Sequence, residues 1–192
     1  ALLEMLNMLE SFDLKEMGHN SASTMHIMSE VMKLAYADRR KSMGDPDFVE
    51  NPVQRLISKA YASDRTSGLS RKRSSPPEAI APFDSMAKES EDTTHYSIAD
   101  KDGNIVSNTY TLGSSCGSGV VVEGTGVLLD NQIRNFSLRV DVPGATFSNS
   151  RMNAIAPGKR MLSSMTPTIV FRDGKPFLVV GSPGGSTIIN TV

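Results

Sequence analysis

A threonine that follows a polar loop and begins a strand is the residue of this chain best suited to chemistry. Thr93 comes after residues 74–91, which are polar and rich in helix and strand breakers, and an alternating strand pattern starts directly after it. A threonine hydroxyl is a weak nucleophile unless a base lies beside it, and an N-terminal threonine carries that base as its own α-amine. Cleavage between Asp92 and Thr93 would create such a nucleophile. Taken alone, the segment favours an ordinary strand start, because threonine is common in strands.

The residues that follow predict the elements that must hold Thr93. An alternating run, a Gly/Asn turn at 100–104 and a second alternating run predict a hairpin that starts at Thr93. The strands are predicted over residues 96–99, 105–112, 120–122, 126–129, 168–171 and 177–180, with a hairpin turn at 172–175. Helices are predicted over residues 1–9, 21–43 and 53–61, and either Ser21 or Ser23 can cap the second. Helices before paired strands indicate a layered α+β fold.

Residues 63–91 are rich in Ser, Arg, Lys and Pro and predict a mobile linker. The chain therefore divides into a helical part, 1–92, and a strand-rich part, 93–192. The basic run at 71–73 lies beside serines and prolines, so we interpret it as a solvated loop rather than a binding patch.

Composition limits the classes of function. The 192 residues carry a formal net charge of -1, which gives no case for a nucleic-acid partner. No apolar run is long enough to span a membrane. Cys116 has no second cysteine with which to form an internal disulfide, and its Gly/Ser surroundings indicate a small loop residue rather than a nucleophile. His19 and His26 are not spaced as metal ligands with Cys or acidic residues, so no metal site is expected.

Several motifs, in order along the chain, resemble the γ-glutamyltranspeptidase family. The run Thr93-Thr94-His95-Tyr96-Ser97 resembles the start of that family's small subunit, and upstream motifs resemble the end of its large subunit. The other matching runs begin at Gly18, Ala35, Gly44, Thr109, Gly126, Pro157, Leu162 and Gly181. Because they are collinear over nearly the whole chain, the resemblance is specific.

The resemblance implies a fold and a mode of maturation. The family has the N-terminal-nucleophile hydrolase fold, a four-layer αββα sandwich, and is made as a precursor that cuts itself into two paired subunits. The cut would fall between Asp92 and Thr93, and no cofactor is implied. Both ends of the chain lie inside apolar segments, so we expect an internal fragment of a longer protein. The family resemblance suggests a periplasmic or secreted location.

The same resemblance assigns roles to single residues. Thr93 would be the nucleophile and Thr111 its hydrogen-bonding partner. Gly184 and Gly185 would supply backbone N–H groups to the oxyanion, a role that suits glycine because the backbone can approach the substrate closely. The substrate-binding residues would be Ser163 and Ser164 for the α-carboxylate, with Gln132 and Asn135 at the α-amine. Residues 139–156 would form the lid loop. Without the resemblance, Thr111 would be interpreted as an ordinary strand residue. Gly184 and Gly185 would be interpreted as turn residues, and Ser163 and Ser164 as loop residues.

Two positions depart from the family pattern. Asn135 stands where the family commonly has an acid, and Gly113 stands where it often has asparagine. Both changes remove groups that would hold a substrate ammonium, and an unpaired buried ammonium is costly. The two changes should weaken affinity for a γ-glutamyl group. The resemblance as a whole still implies a γ-glutamyltransferase or glutathione hydrolase, which takes the acyl group from glutathione or another γ-glutamyl amide and passes it to water, an amino acid or a peptide. The alternatives are a glutaryl-type acylase and a non-catalytic paralogue.

Overall fold

The computed structural model describes residues 1–76, 92–137 and 151–192. These residues form two units. One contains residues 1–76, 136–137 and 151–162, and the other contains residues 92–135 and 163–192. Within the described ranges, none of the helices is both long enough and apolar enough to cross a lipid bilayer.

The first unit is helical. Its core lies around α1, which packs against the long helix α3 and against α5, and it is filled by Met5, Met8, Ile27, Val31 and Leu34. The helices are α1 (Leu2–Leu9), α2 (Leu14–Met17), α3 (Ala22–Ser42), α4 (Val53–Leu56) and α5 (Lys59–Thr66). Apolar residues at helical spacing on α3 therefore act as core, as their pattern indicates.

Serine caps determine where two of these helices begin. The hydroxyl of Ser21 accepts a hydrogen bond from the backbone N–H of Thr24 at 3.1 Å, so Ser21 rather than Ser23 caps α3. The single helix predicted over 53–61 is wrong. Ser58 has extended backbone angles and its hydroxyl accepts from Tyr61 N, so the chain ends α4 and starts α5 at this point.

A buried carboxylate ties distant parts of the helical unit together. Asp45 accepts hydrogen bonds from the backbone N–H of Arg160 at 2.7 Å and from its guanidinium Nη2 at 2.6 Å. The Asp45 side chain is only 1% exposed, whereas Asp47, which the same guanidinium contacts, is 73% exposed. The side-chain and backbone hydrogen bonds from Arg160 hold the pKa of Asp45 well below its usual range.

The second unit is built from two antiparallel hairpins. Strand β1 (Thr93–Ala99) pairs with β2 (Ile105–Thr111), with Thr93 opposite Thr111 and Ala99 opposite Ile105. Asp100 fixes the turn between them, because its carboxylate accepts from the backbone N–H of Asp102 and of Asn104. Hydrogen bonds from Asn104 lower the pKa of Asp100, so the turn keeps its acceptor charged.

Strand β3 (Thr168–Arg172) pairs with β4 (Lys175–Val180) to form the second hairpin. Side chains of the first hairpin join the two: Ser97 Oγ donates to the carbonyl of Val179 at 3.4 Å and Ser107 Oγ to that of Val180 at 3.2 Å. After β4, a loop and a 3₁₀ turn lead into α6 (Ile188–Thr191), whose Ile188 and Ile189 are buried.

Other predictions are corrected or fall outside the described residues. Residues 120–122 and 126–129 were expected to be strands, but they form only an isolated bridge between Val121 and Leu128. Gly124 and Gly126 both have positive φ, so the backbone turns too tightly for a longer ladder. The start of the predicted linker, Ser63 to Thr66, belongs to α5. Residues 77–91 of that linker and 139–150 of the expected lid lie outside the described residues.

Replacing Asp45 by Asn should lower the thermal unfolding midpoint of the complete protein by several degrees. The change leaves the Arg160 guanidinium without its buried counter-charge. The matched variant Asp47→Asn alters an exposed carboxylate on the same guanidinium and should change the midpoint little. Because the pKa of Asp45 is lowered on folding, its contribution to stability is fully present above about pH 4, the ordinary pKa of Asp, and is lost progressively as the pH falls from there toward the lowered pKa of the folded state. Equal midpoints for the two variants at pH 7 would contradict the assignment.

Candidate active site

The nucleophile candidate and its partner meet across the first hairpin. Thr93 Oγ1 donates to Thr111 Oγ1 at 3.1 Å, and the backbone N–H of Gly113 donates to the same Thr111 oxygen at 2.9 Å. Thr93 is 7% exposed, and it is the buried residue of β1. The Thr111 oxygen therefore accepts from both the Thr93 hydroxyl and the Gly113 amide. Because the Gly113 amide holds the Thr111 hydroxyl in place, the Thr93 hydroxyl has a fixed acceptor, which favours one rotamer of Thr93 at the start of the strand.

The residues expected at the substrate amine lie on one 3₁₀ turn, Gln132–Asn135, which contacts the end of β2 through Gln132. Gln132 Nε2 donates to the carbonyl of Thr111 at 3.2 Å, so this amide lies beside the partner of the nucleophile. Asn135 ends the same 3₁₀ turn, Gln132–Asn135. Arg134 Nη2 donates to the Gly113 carbonyl at 2.9 Å. The structure thus brings Thr93, Thr111 and Gln132 together, and places Asn135 on the turn that carries Gln132.

Asn131 fills the space beside Gly113. A Cβ built at Gly113 would overlap the Asn131 Oδ1 atom, and Gly113 has φ +89. Asn131 is held by two hydrogen bonds: Nδ2 donates to Ser114 Oγ at 2.6 Å, and its backbone N–H donates to Leu112 O at 2.9 Å. Glycine at 113 is therefore required both by the backbone and by the neighbouring side chain.

The expected oxyanion residues form a second group. The carbonyl of Gly184, which has φ +130, accepts from Thr187 N at 3.0 Å and from Thr187 Oγ1 at 2.7 Å. Ser164 Oγ donates to the carbonyl of Gly185 at 2.6 Å. Ser163 Oγ accepts from Met165 N at 3.1 Å. These contacts hold the loop in place, and Ser164 would have to rotate its hydroxyl to donate to a substrate carboxylate.

Asp92, on the other side of the expected cut, is also held by a hydrogen bond. Ser115 Oγ donates to Asp92 Oδ1 at 2.8 Å. The bond spans 23 residues and joins the segment before β1 to the loop after β2. Sequence reasoning gave Ser115 no role, and its position in a Gly/Ser loop offers no signal for one.

His95 was part of the diagnostic motif but had no assigned role. The alternation of β1 places it on the same face as Thr93, two residues along the strand. Its Nδ1 lies 2.7 Å from Thr109 Oγ1 and its Nε2 lies 3.1 Å from Ser97 Oγ. The two-residue period was the signal that could have placed His95 in the site.

Comparison with known proteins connects this geometry to a family. The family model described as Gamma-glutamyltranspeptidase matches residues 1–192. The chain belongs to the γ-glutamyltranspeptidase family. Over 192 residues it is 48% identical to a "Glutathione hydrolase proenzyme" from Escherichia coli (strain K12), covering 100% of this chain and 33% of that protein. The family expected from the motifs is thereby confirmed.

Acylases are also among the relatives. The chain is 37% identical over 187 residues to an "Acylase ACY 1 proenzyme" from Pseudomonas sp. (strain SE83), covering 97% of this chain and 31% of that protein. The chain is also similar to the crystal structure of a cephalosporin acylase from Bacillus halodurans, with a TM-score of 0.74 and 27% sequence identity. The match covers 98% of this chain and 31% of the acylase chain. The expected fold class, α+β of the N-terminal-nucleophile hydrolase type, is confirmed. The chain spans about a third of the length of these relatives.

Replacing Gly113 by Ala should destabilise the complete protein more than replacing Gly103 by Ala. Both glycines have positive φ, +89 and +85, so both changes carry a similar backbone cost of about 1 kcal/mol. Only Gly113→Ala also displaces Asn131 from its hydrogen bond to Ser114, which adds roughly 1 kcal/mol. Chemical denaturation of the two variants measures the difference. Equal losses of unfolding free energy would show that Asn131 does not constrain position 113.

Proposed function

We propose that the complete protein is a self-processing N-terminal-threonine amidohydrolase that acts on γ-glutamyl amides such as glutathione. The observation that carries this proposal is the buried Thr93, whose hydroxyl is hydrogen-bonded to Thr111 at the start of β1. Family membership supports the chemistry, and the curated relatives named above are proenzymes of glutathione hydrolases and acylases.

The first reaction would be self-cleavage. Thr93 Oγ attacks the carbonyl carbon of Asp92, and the peptide C–N bond breaks as an ester forms. The proton of the hydroxyl passes to the α-amine of Thr93, which this step sets free. Water then hydrolyses the ester, which releases the Asp92 carboxyl group and restores the Thr93 hydroxyl. The two products would be a helical large-subunit part ending at Asp92 and a strand-rich small-subunit part beginning at Thr93, which stay paired. The hydrogen bond from Ser115 to Asp92 supports a fixed position for the residue that supplies the scissile carbonyl.

Turnover would use the same hydroxyl. The new α-amine accepts the proton of Thr93 Oγ as this oxygen attacks the substrate amide. The N–H groups of Gly184 and Gly185 would stabilise the tetrahedral oxyanion, a contribution of roughly 3–4 kcal/mol per donor in other enzymes. The leaving amine departs with a proton, and water or an acceptor amine then releases the acyl group from Thr93. No step needs a cofactor.

The substrate would be oriented by its α-substituents. Ser163 and Ser164 lie on the segment that contacts the Gly185 carbonyl, which supports a role at the α-carboxylate. The amide of Gln132 carries an accepting oxygen as well as the donor that contacts Thr111, and that oxygen is suited to a substrate ammonium.

A glutaryl-type acylase is the second candidate, and the chemistry around Gly113 favours it. Asn135 supplies no counter-charge for an ammonium, and position 113 has no side chain. Arg134 also places a guanidinium on the Gly113 carbonyl, where it would repel a substrate cation. A glutaryl group lacks the α-amine and would not meet these penalties.

The complete precursor should cut itself between Asp92 and Thr93. Intact-mass measurement should give two polypeptides for the wild type and one for Thr93→Ala, because the alanine has no hydroxyl for the acyl shift. Thr94→Ala is the matched control: Thr94 is exposed, lies next along the strand and points to the other face, so this variant should still be cut.

Two outcomes would contradict the assignment of Thr93. A folded wild-type precursor that stays whole would show that Thr93 does not cut the chain. Cleavage of Thr93→Ala at the wild-type rate would mean that a separate protease makes the cut.

Replacing Asn135 by Asp should shift specificity toward the substrate with the α-amine. The ratio of kcat/KM for a γ-glutamyl anilide to that for a glutaryl anilide should rise roughly tenfold to a hundredfold, or roughly 1–3 kcal/mol, because an ion pair is restored. Ile133→Asp puts the same charge on an exposed position of the same turn and should leave the ratio unchanged. If Asn135→Asp leaves the ratio unchanged or lowers it, Asn135 does not face the α-position.

A further inference from the structure

The imidazole of His95 is fixed by both of its nitrogen atoms. Nδ1 lies 2.7 Å from the hydroxyl of Thr109 on β2, and Nε2 lies 3.1 Å from the hydroxyl of Ser97 on β1. Ser97 in turn donates to the carbonyl of Val179 on β4. The ring therefore lies on the face of the first hairpin that contacts the second, and it cannot rotate without giving up two polar contacts.

Gly181 packs directly against this ring. A Cβ built on Gly181 would overlap the Cε1, Nδ1 and Nε2 atoms of His95, so only a hydrogen atom fits there. The backbone angle φ of Gly181 is not positive, so its backbone conformation does not require glycine. Space is therefore the reason for glycine at this position, and the space is taken by the His95 side chain.

Both partners lie close in sequence to groups of the proposed active site. His95 is two residues from Thr93 on the same face of β1, a separation of about 7 Å along a strand. Gly181 follows the end of β4 directly and stands three residues before Gly184. A change in the His95–Gly181 distance would therefore move the nucleophile relative to the loop that carries Gly184 and Gly185.

We infer that His95 is a positioning residue: its ring, packed on Gly181, sets the spacing between Thr93 Oγ and the backbone donors of Gly184 and Gly185. This inference rests on the proposed function of Thr93. It assigns His95 no proton transfer, since both ring nitrogens face hydroxyl groups that hold the ring in place. The role is steric. We therefore expect that the loss of kcat caused by enlarging one partner is partly reversed by making the other partner smaller.

The test is a size-exchange series in the complete, self-processed protein, assayed with γ-glutamyl and glutaryl p-nitroanilides. Gly181→Ala should lower kcat roughly tenfold to a hundredfold with KM changed by less than about threefold, because misplacement by about 1 Å affects chemistry more than binding. The double variant His95→Ala with Gly181→Ala should recover kcat above that of Gly181→Ala alone, because the added methyl group now fills part of the vacated space. His95→Asn keeps an amide within reach of Thr109 and should retain more kcat than His95→Ala.

Gly68→Ala is the matched control, since Gly68 also lacks a positive φ but has open space where a Cβ would lie; the kcat of this variant should equal that of the wild type. If Gly181→Ala does not accumulate as folded protein, recovery of folded, active protein in the double variant supports the contact, and no recovery overturns it. Wild-type kcat in Gly181→Ala, or a double variant no better than the single one, would also overturn it. A wild type that neither cuts itself nor turns over either anilide would instead refute the proposed function, and the positioning role with it.

Discussion

The pairing of β1 with β2 is the constraint on which the candidate site depends. Thr93 faces Thr111 only in the observed register, and a slip of one residue would turn every side chain of β1 to the opposite face. The turn supplies the restraint, because the Asp100 carboxylate accepts two backbone N–H groups and the Asn104 side-chain amide. A turn that begins seven residues after the nucleophile thus determines whether its hydroxyl meets its partner.

The face that carries Thr93 is polar, which is unusual for a surface that packs between strands. His95, Ser97, Ser107 and Thr109 line it, and hydroxyl groups contact the carbonyls of β4. Four large apolar or aromatic side chains lie on the opposite face of the hairpin and are exposed in the described chain: Tyr96, Ile98, Val106 and Tyr110. Directional hydrogen bonds on the inner face fix distances between strands more closely than apolar contacts would, and an active site needs that precision.

Periodicity was sufficient to predict the local elements that carry the site. The hairpin after Thr93 followed from alternation and from the Gly/Asn turn, and the helix after Ser21 followed from its cap and apolar face. The break at Ser58 was missed because α4 and α5 are each too short to have a clear period. The roles of Thr111, Gln132 and the two glycines came from family resemblance, since each residue alone has an ordinary structural explanation.

Contacts between residues far apart in sequence could not be predicted in this way. Asp45 and Arg160 are 115 residues apart, and neither has a neighbour that indicates a buried pair. The same holds for His95 and Gly181, because a glycine after a strand usually indicates a turn and not a close approach. Such contacts depend on how the elements pack, which local patterns do not specify.

The central claim is that Thr93 carries the acyl group during turnover. Its most direct test is to mix the complete, processed protein briefly with a γ-glutamyl or glutaryl anilide, quench it in acid, and map the modified peptide by mass spectrometry. One acyl group per small subunit, located on Thr93, is expected. An acyl group on another residue, such as Cys116 or Ser163, or sustained turnover with no acylated peptide after rapid quenching, would contradict it.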